Sequence, residues 1–195
     1  MRSASLCRST KETDVTVELT LDSEPRIEVR TGIAMLDHLL AQLAFHGSMD
    51  CTVRARSLDG ILHHLVEDVA VVLGRTLDAA LGDRSGIVRF GSALVPMDDA
   101  LVRAAVDLGG RAYARTELGF RGERIEGLDT ILIPHVVRSL ADNARLTVHV
   151  DRLAGDDPHH VAEAAFKALG RALAEAWTRD PRFSTTCIST KGTIR

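Results

Sequence analysis

Sulfur and aromatic residues are scarce in this 195-residue chain, which has three cysteines, one tryptophan and one tyrosine. Cys7, Cys51 and Cys187 are odd in number and far apart, which argues against both a disulfide framework and a thiolate metal site. No apolar run approaches the roughly 18 residues of a membrane span. The N-terminal stretch Met1 to Arg8 lacks the apolar core of a secretory signal. Lysine and arginine form no block, and the net charge is −3. That balance gives no electrostatic footprint for nucleic acid. The expectation is a cytoplasmic protein without nucleic-acid or membrane partners.

Histidine is what the chain has in unusual arrangement. Eight are present, and several fall in pairs. His63, His64 and Glu67 recur as His159, His160 and Glu163, a constant shift of 96 residues that also superposes Leu73-Gly74-Arg75 on Leu169-Gly170-Arg171. A lone His precedes each pair: His38 by 25 residues and His135 by 24.

The patterning around these motifs repeats as well. Asp14 to Leu21 alternates apolar and polar residues and predicts a half-buried strand, with Arg26 to Arg30 returning after a turn. Helical spacing follows over Ala34 to Phe45, a strand over Asp50 to Arg56, and a long amphipathic helix over His63 to Leu81. The second half offers strands over Asp99 to Leu108 and Ala112 to Leu118. A helix over Ile131 to Asn143, a strand over Arg145 to Val150 and a helix over His159 to Trp177 complete it. The expected fold is therefore α+β: a tandem duplication of a four-stranded-sheet plus two-helix unit in one compact domain. Its ββαβα halves span residues 1–95 and 96–195.

Residues i and i+4 share a helix face, so His63 goes with Glu67 and His159 with Glu163. The adjacent His64 and His160 point about 100° away and suit a different ion from their neighbours. Six His and two Glu could thus hold two cations, each by three imidazoles and one carboxylate. Ligands of that softness fit Mn, Fe, Zn or Ni, and four protein ligands leave positions open for chemistry. His149 has no ligand counterpart in the other half and reads as a strand residue.

With these motifs in place, the chain resembles the imidazoleglycerol-phosphate dehydratase family along almost its whole length. The resemblance is carried by Arg8-Ser-Thr-Lys-Glu-Thr13, Leu36-Asp-His-Leu-Leu40, His46-Gly47, His63-His-Leu-Val-Glu-Asp68 and Gly86-Ile-Val-Arg-Phe-Gly91. It continues through Pro96-Met-Asp-Asp99, Asp107-Leu-Gly-Gly-Arg111, His135-Val-Val-Arg-Ser-Leu140, the second His pair and Ser189-Thr-Lys-Gly192. The resemblance implies a hydro-lyase of histidine biosynthesis that dehydrates imidazole glycerol phosphate to imidazole acetol phosphate through a metal-bound imidazolate. It implies two Mn²⁺ per active site, other divalent metals being possible. One ion would take His38, His64, His159 and Glu163; the other, His63, Glu67, His135 and His160. It further implies acid-base roles for Glu12 and His46, and phosphate contacts from Arg89, Arg111, Ser189 and Lys191. The family's assembly implies a homo-oligomer of 24 subunits with active sites between them.

The chain departs from the family pattern at several places. Leu62 and Leu65 stand where the family usually has Asp and Thr, Val136 and Val137 where it has an aromatic pair, Gly109 where it has Ser, and Ile188 where it has Pro. The Asp and Thr would have supplied hydrogen bonds around the first His pair. Two other readings of the ligand set are a dinuclear metal hydrolase and a metal-linked assembly protein without activity.

Overall fold

The computed structural model describes residues 1–183, 186–192 and 194. Strands β1 (Ser3–Ser9), β2 (Thr13–Thr20), β3 (Ile27–Arg30) and β4 (Asp50–Ser57) form one four-stranded sheet in the order β1-β2-β4-β3. The second half repeats it with β5 (Phe90–Met97), β6 (Ala100–Asp107), β7 (Tyr113–Glu117) and β10 (Thr147–Ala154), in the order β5-β6-β10-β7. A small hairpin of β8 (Arg124–Ile125) and β9 (Leu128–Asp129) stands apart. In both sheets only the last pairing, β3 with β4 and β7 with β10, is parallel. It is bridged by a helix, as a parallel neighbour requires.

Each half therefore runs βββαβα, one strand more than the ββαβα order that alternation predicts. The additional strands, β1 and β5, lie at sheet edges. A division at residues 95 and 96 would cut β5, which pairs with β6 along its whole length. Strand pairing thus puts the start of the second half ahead of Phe90.

The alternation seen in sequence is what buries one face of each sheet. Thr13, Val15, Val17 and Leu19 of β2 point inward, as do Ala100, Val102, Ala104 and Val106 of β6. Helices α1 (Ala34–His46), α2 (Leu62–Leu81), α3 (Leu132–Ala144) and α4 (Pro158–Trp177) cover those faces. The helices also pair across the duplication: α1 packs on α4, and α2 on α3. This crossed pairing brings the lone His of one half to the His pair of the other.

Small residues allow the crossings to be close. A Cβ on Gly74 of α2 would stand 2.7 Å from the Leu140 carbonyl oxygen, and one on Gly170 of α4 would stand 2.6 Å from that of Leu43. Each glycine lies seven residues, or two turns, beyond the Glu of its motif, on the same helix face. At the far end of α2, the nearly fully buried Arg84 donates to the carbonyls of Ala144 (2.6 Å), Arg145 (2.8 Å) and Leu108 (3.2 Å). It thereby satisfies the last carbonyls of α3, while Asp78 pairs with its charge at 2.5 Å.

Candidate metal and substrate site

The lone His38 is set by the start of α1. The Asp37 carboxylate accepts from the backbone N–H of Thr31 at 2.8 Å and from its hydroxyl at 2.5 Å, fixing the first turn. From there the His38 Nε2 lies 2.8 Å from Glu163 Oε2, and the His159 Nε2 lies 3.3 Å from the same oxygen. His38, His159 and Glu163 offer three ligand atoms within 4.8 Å of one another.

The related group is built by α2 and α3. His63 and His135 face each other with ring centroids 4.7 Å apart, and His135 Nε2 lies 3.6 Å from Glu67 Oε1. Their ligand atoms also fall within 4.8 Å. The structure thus brings three of each proposed set of four together, each time from both halves of the chain.

His64 and His160 are turned elsewhere. His64 Nδ1 lies 2.6 Å from Asp59, and His160 Nδ1 lies 2.7 Å from Asp99. Glu12, in the turn between β1 and β2, comes within 3.9 Å of the same His64 nitrogen. Its turn is tied to α2 by the buried Asp68, which accepts from the Thr13 hydroxyl and pairs with Arg8 at 3.3 Å. The strands' turn and the His-bearing helix are therefore one unit.

The electrostatics separate these groups. Burial opposes ionisation of Glu163, but hydrogen bonds from Lys167 and His38 outweigh it and bring the carboxyl down to about 2. Burial also lowers the His135 imidazole, with His63 adding to the effect. His46, at the end of α1, is lowered by burial and by the charges of Lys167 and Arg171. Both effects favour its neutral form, the form that can accept a proton. Lys167 is a residue that sequence reasoning missed: it reaches Glu163 at 2.7 Å from one turn further along α4. The i,i+4 spacing was the available signal.

The residues present fit divalent cations. The buried Nε2 of His135 has no hydrogen-bond partner, an uncommon condition for a buried polar atom and one that a cation would relieve. His38 and His159 converge on one carboxylate oxygen, and the donors are all imidazole or carboxylate, the set that suits Mn, Fe or Zn.

Arg89, Arg111, Ser189 and Lys191 line a single cavity of about 610 Å³, whose lining also includes Phe183 and Ile188. Arg89 is already engaged there. Its Nε and Nη2 donate to Asp107 at 2.7 and 3.1 Å, and its Nη1 donates to the Ile188 carbonyl at 2.5 Å. It anchors the C-terminal segment that carries Ser189 and Lys191, and leaves Arg111 and Lys191 as the exposed cations of the cavity among the described residues. Gly109 fits beneath this pair: a Cβ there would stand 2.6 Å from Asp107 and 3.0 Å from Arg89. None of the eight His and Glu ligand candidates lines this cavity.

Residues 31–173 match the family model for imidazoleglycerol-phosphate dehydratase. The imidazoleglycerol-phosphate dehydratase of Dinoroseobacter shibae is 48% identical over the whole of both chains. That of Salinibacter ruber is 49% identical, covering 99% of this chain and 96% of the relative. Among solved structures, the Pyrococcus furiosus enzyme superposes with a TM-score of 0.82 at 38% identity, over 96% of this chain and 99% of that one. The Staphylococcus aureus enzyme gives the same TM-score at 32% identity, over 91% of this chain and 99% of that one.

Proposed function

The chain belongs to the imidazoleglycerol-phosphate dehydratase family, a family of hydro-lyases, and from that premise we propose how its residues divide the work of dehydrating imidazole glycerol phosphate. The observation that carries the reading is the pair of three-ligand groups, His38-His159-Glu163 and His63-Glu67-His135, each assembled from both halves. Each would hold one divalent cation, with Mn²⁺ as the family's metal. When bound, the two cations supply Lewis-acid charge that makes the substrate imidazole N–H easier to ionise and fixes its orientation.

The chain's own groups do the rest. Glu12, exposed beside His64, moves protons at the substrate's reacting carbons. His46, favoured in its neutral form, is a second acceptor. Arg111, Lys191 and the Ser189 hydroxyl hold the phosphate, while Arg89 fixes the segment that presents them.

The fourth ligand of each cation would come from another copy of the chain. His64 and His160 stand outside the two groups, with Nδ1 occupied by a carboxylate. The phosphate cavity shares no residue with the ligand groups. A homo-oligomer whose sites lie between subunits accounts for both, and 24 copies is the family's arrangement. Among the described residues no helix is long and apolar enough to cross a membrane, and a cytoplasmic biosynthetic role is the expectation.

The test is to load the protein with Mn²⁺, supply imidazole glycerol phosphate, and follow the acetol phosphate product. Product formation that stops on chelation and returns with Mn²⁺ supports the reading. A metal-loaded, assembled protein without turnover overturns it.

A further inference from the structure

We infer that Asp59 is a positioning residue for His64, fixing the ring so that Nε2 faces outward and leaving Glu12 free for proton transfer. The inference rests on the two-cation reading above and concerns a residue of the loop between β4 and α2.

The contact is well constrained. Asp59 Oδ2 lies 2.6 Å from His64 Nδ1, while Asp59 Oδ1 accepts from the Ile61 backbone at 2.9 Å and from the Ser57 hydroxyl at 3.1 Å. Gly60, at φ 77°, provides the left-handed turn that folds the carboxylate back toward the helix. An ionised carboxylate only accepts hydrogen bonds, so the imidazole proton must sit on Nδ1. The lone pair is then on Nε2, on the opposite edge of the ring, where a cation held by another chain can meet it.

The second half contains the same device built differently. His160 Nδ1 lies 2.7 Å from Asp99 Oδ1, and Asp99 Oδ2 accepts from the backbone N–H groups of Asp156 (2.7 Å) and Asp157 (3.2 Å). Asp99 is the residue just before β6, and its topological counterpart just before β2 is Glu12. The sequence repeat places Gly155, which has no side chain, opposite Asp59. Inheritance from a common half therefore does not explain the two dyads. In the second half the turn before β6 supplies the carboxylate that holds the ring. In the first, Asp59 has taken that nitrogen, and the turn residue Glu12 stands 3.9 Å off with no side-chain hydrogen bond among the described residues.

This also accounts for Leu62. The family's carboxylate beside the first His pair is missing, and Ile61, the N-cap of α2, makes no side-chain cap hydrogen bond. Asp59, two residues before Ile61, supplies both the imidazole contact and a partner for the Ile61 N–H.

The experiment compares wild type, Asp59→Ala, Asp59→Asn, His64→Ala and the Asp59→Ala/His64→Ala double variant by equilibrium dialysis with Mn²⁺ and by the pH profile of kcat. Asp59→Ala should weaken one of the two Mn²⁺ sites about tenfold to hundredfold and leave the other unchanged. Asp59→Asn keeps an oxygen acceptor and should lose less. Asp59→Ala should also lower kcat more than it raises KM and alter the pH profile of kcat, because Glu12 is drawn toward the freed nitrogen and away from the substrate. Because Asp59 acts through His64, adding Asp59→Ala to His64→Ala should cost nothing further in Mn²⁺ affinity. Full wild-type affinity and profile in Asp59→Ala would overturn the inference, as would an undiminished penalty in the His64→Ala background. Wild-type protein that binds no Mn²⁺ would instead overturn the two-cation reading, and this inference with it.

Discussion

Gly74 and Gly170 occupy matching places in two helix crossings, each α-carbon lying against a leucine carbonyl, of Leu140 and Leu43, on a helix of the other half. Both crossings lie two turns from the Glu of a His-His-x-x-Glu motif. The interhelical distance that these glycines permit is the distance across which His38 meets Glu163 and His135 meets Glu67.

Alanine at either glycine should therefore destabilise the protein, although alanine favours a helix by about 1 kcal/mol over glycine. Overpacking against backbone costs about 1–3 kcal/mol and should win. Gly170→Ala should lower the denaturation midpoint and weaken Mn²⁺ at the His38 group. Gly74→Ala should do so at the His63 group. Unchanged midpoints in both would show that the crossings relax freely.

Co-assembly tests where the fourth ligands come from. His64→Ala and His38→Ala should each lose one Mn²⁺ and most activity. Refolding the two together should recover part of both, because a His64→Ala chain still offers an intact His38-His159-Glu163 group to the His64 of a His38→Ala neighbour. Random pairing sets the recovered fraction at about a quarter. Mixed assemblies with no gain in metal content would place all four ligands in one chain.

At the other end of the substrate, Lys191→Met and Arg111→Met should raise KM by about tenfold to hundredfold, the worth of one charged hydrogen bond, with Mn²⁺ content unchanged. Asp107→Asn should act differently. It releases Arg89 from its paired geometry, so the segment carrying Ser189 and Lys191 loosens and both kcat and KM suffer. Steady-state kinetics on the three variants separate these patterns.

Acid should reveal the N-terminal clamp. The Asp22 carboxyl is brought down to about 2 chiefly by its hydrogen bond from Arg2, which also donates to the Trp177 carbonyl at 2.8 Å. Its folded value lies below its ordinary 3.8. The clamp's stabilisation is thus complete above pH 3.8 and is lost as pH falls toward 2. Asp22→Asn should melt earlier than wild type at pH 5, and the gap should close over that interval. A gap independent of pH would assign the effect to packing.

Much of this was readable from residues because it obeys short-range periodicity. The repeated His-His-x-x-Glu gave the helix faces, and the observed α2 and α4 begin within one residue of the expected starts. The edge strands β1 and β5 were not readable, although the opposite edges β3 and β7 were. β1 is exposed along most of its length, and β5 contains Gly91 and Pro96, residues that argue against a strand unless it lies at an edge. Asp59 was missed for a different reason. Its contact depends on a left-handed turn at Gly60, and spacing along the chain carries no trace of it. The repeat includes Gly74 and Gly170, but only the helix crossings give the physical reason for glycine at either place.

The crossed pairing of α1 with α4 and α2 with α3 has a consequence for the halves taken singly. One half alone would carry a lone His, a His pair and a Glu, and would still form neither three-ligand group. A second half would have to bring them together, so the interior of this chain has the architecture of a two-fold dimer interface made permanent by fusion. Fusion also released the two halves from identity, so that Glu12 and Asp99 could come to differ at matching places.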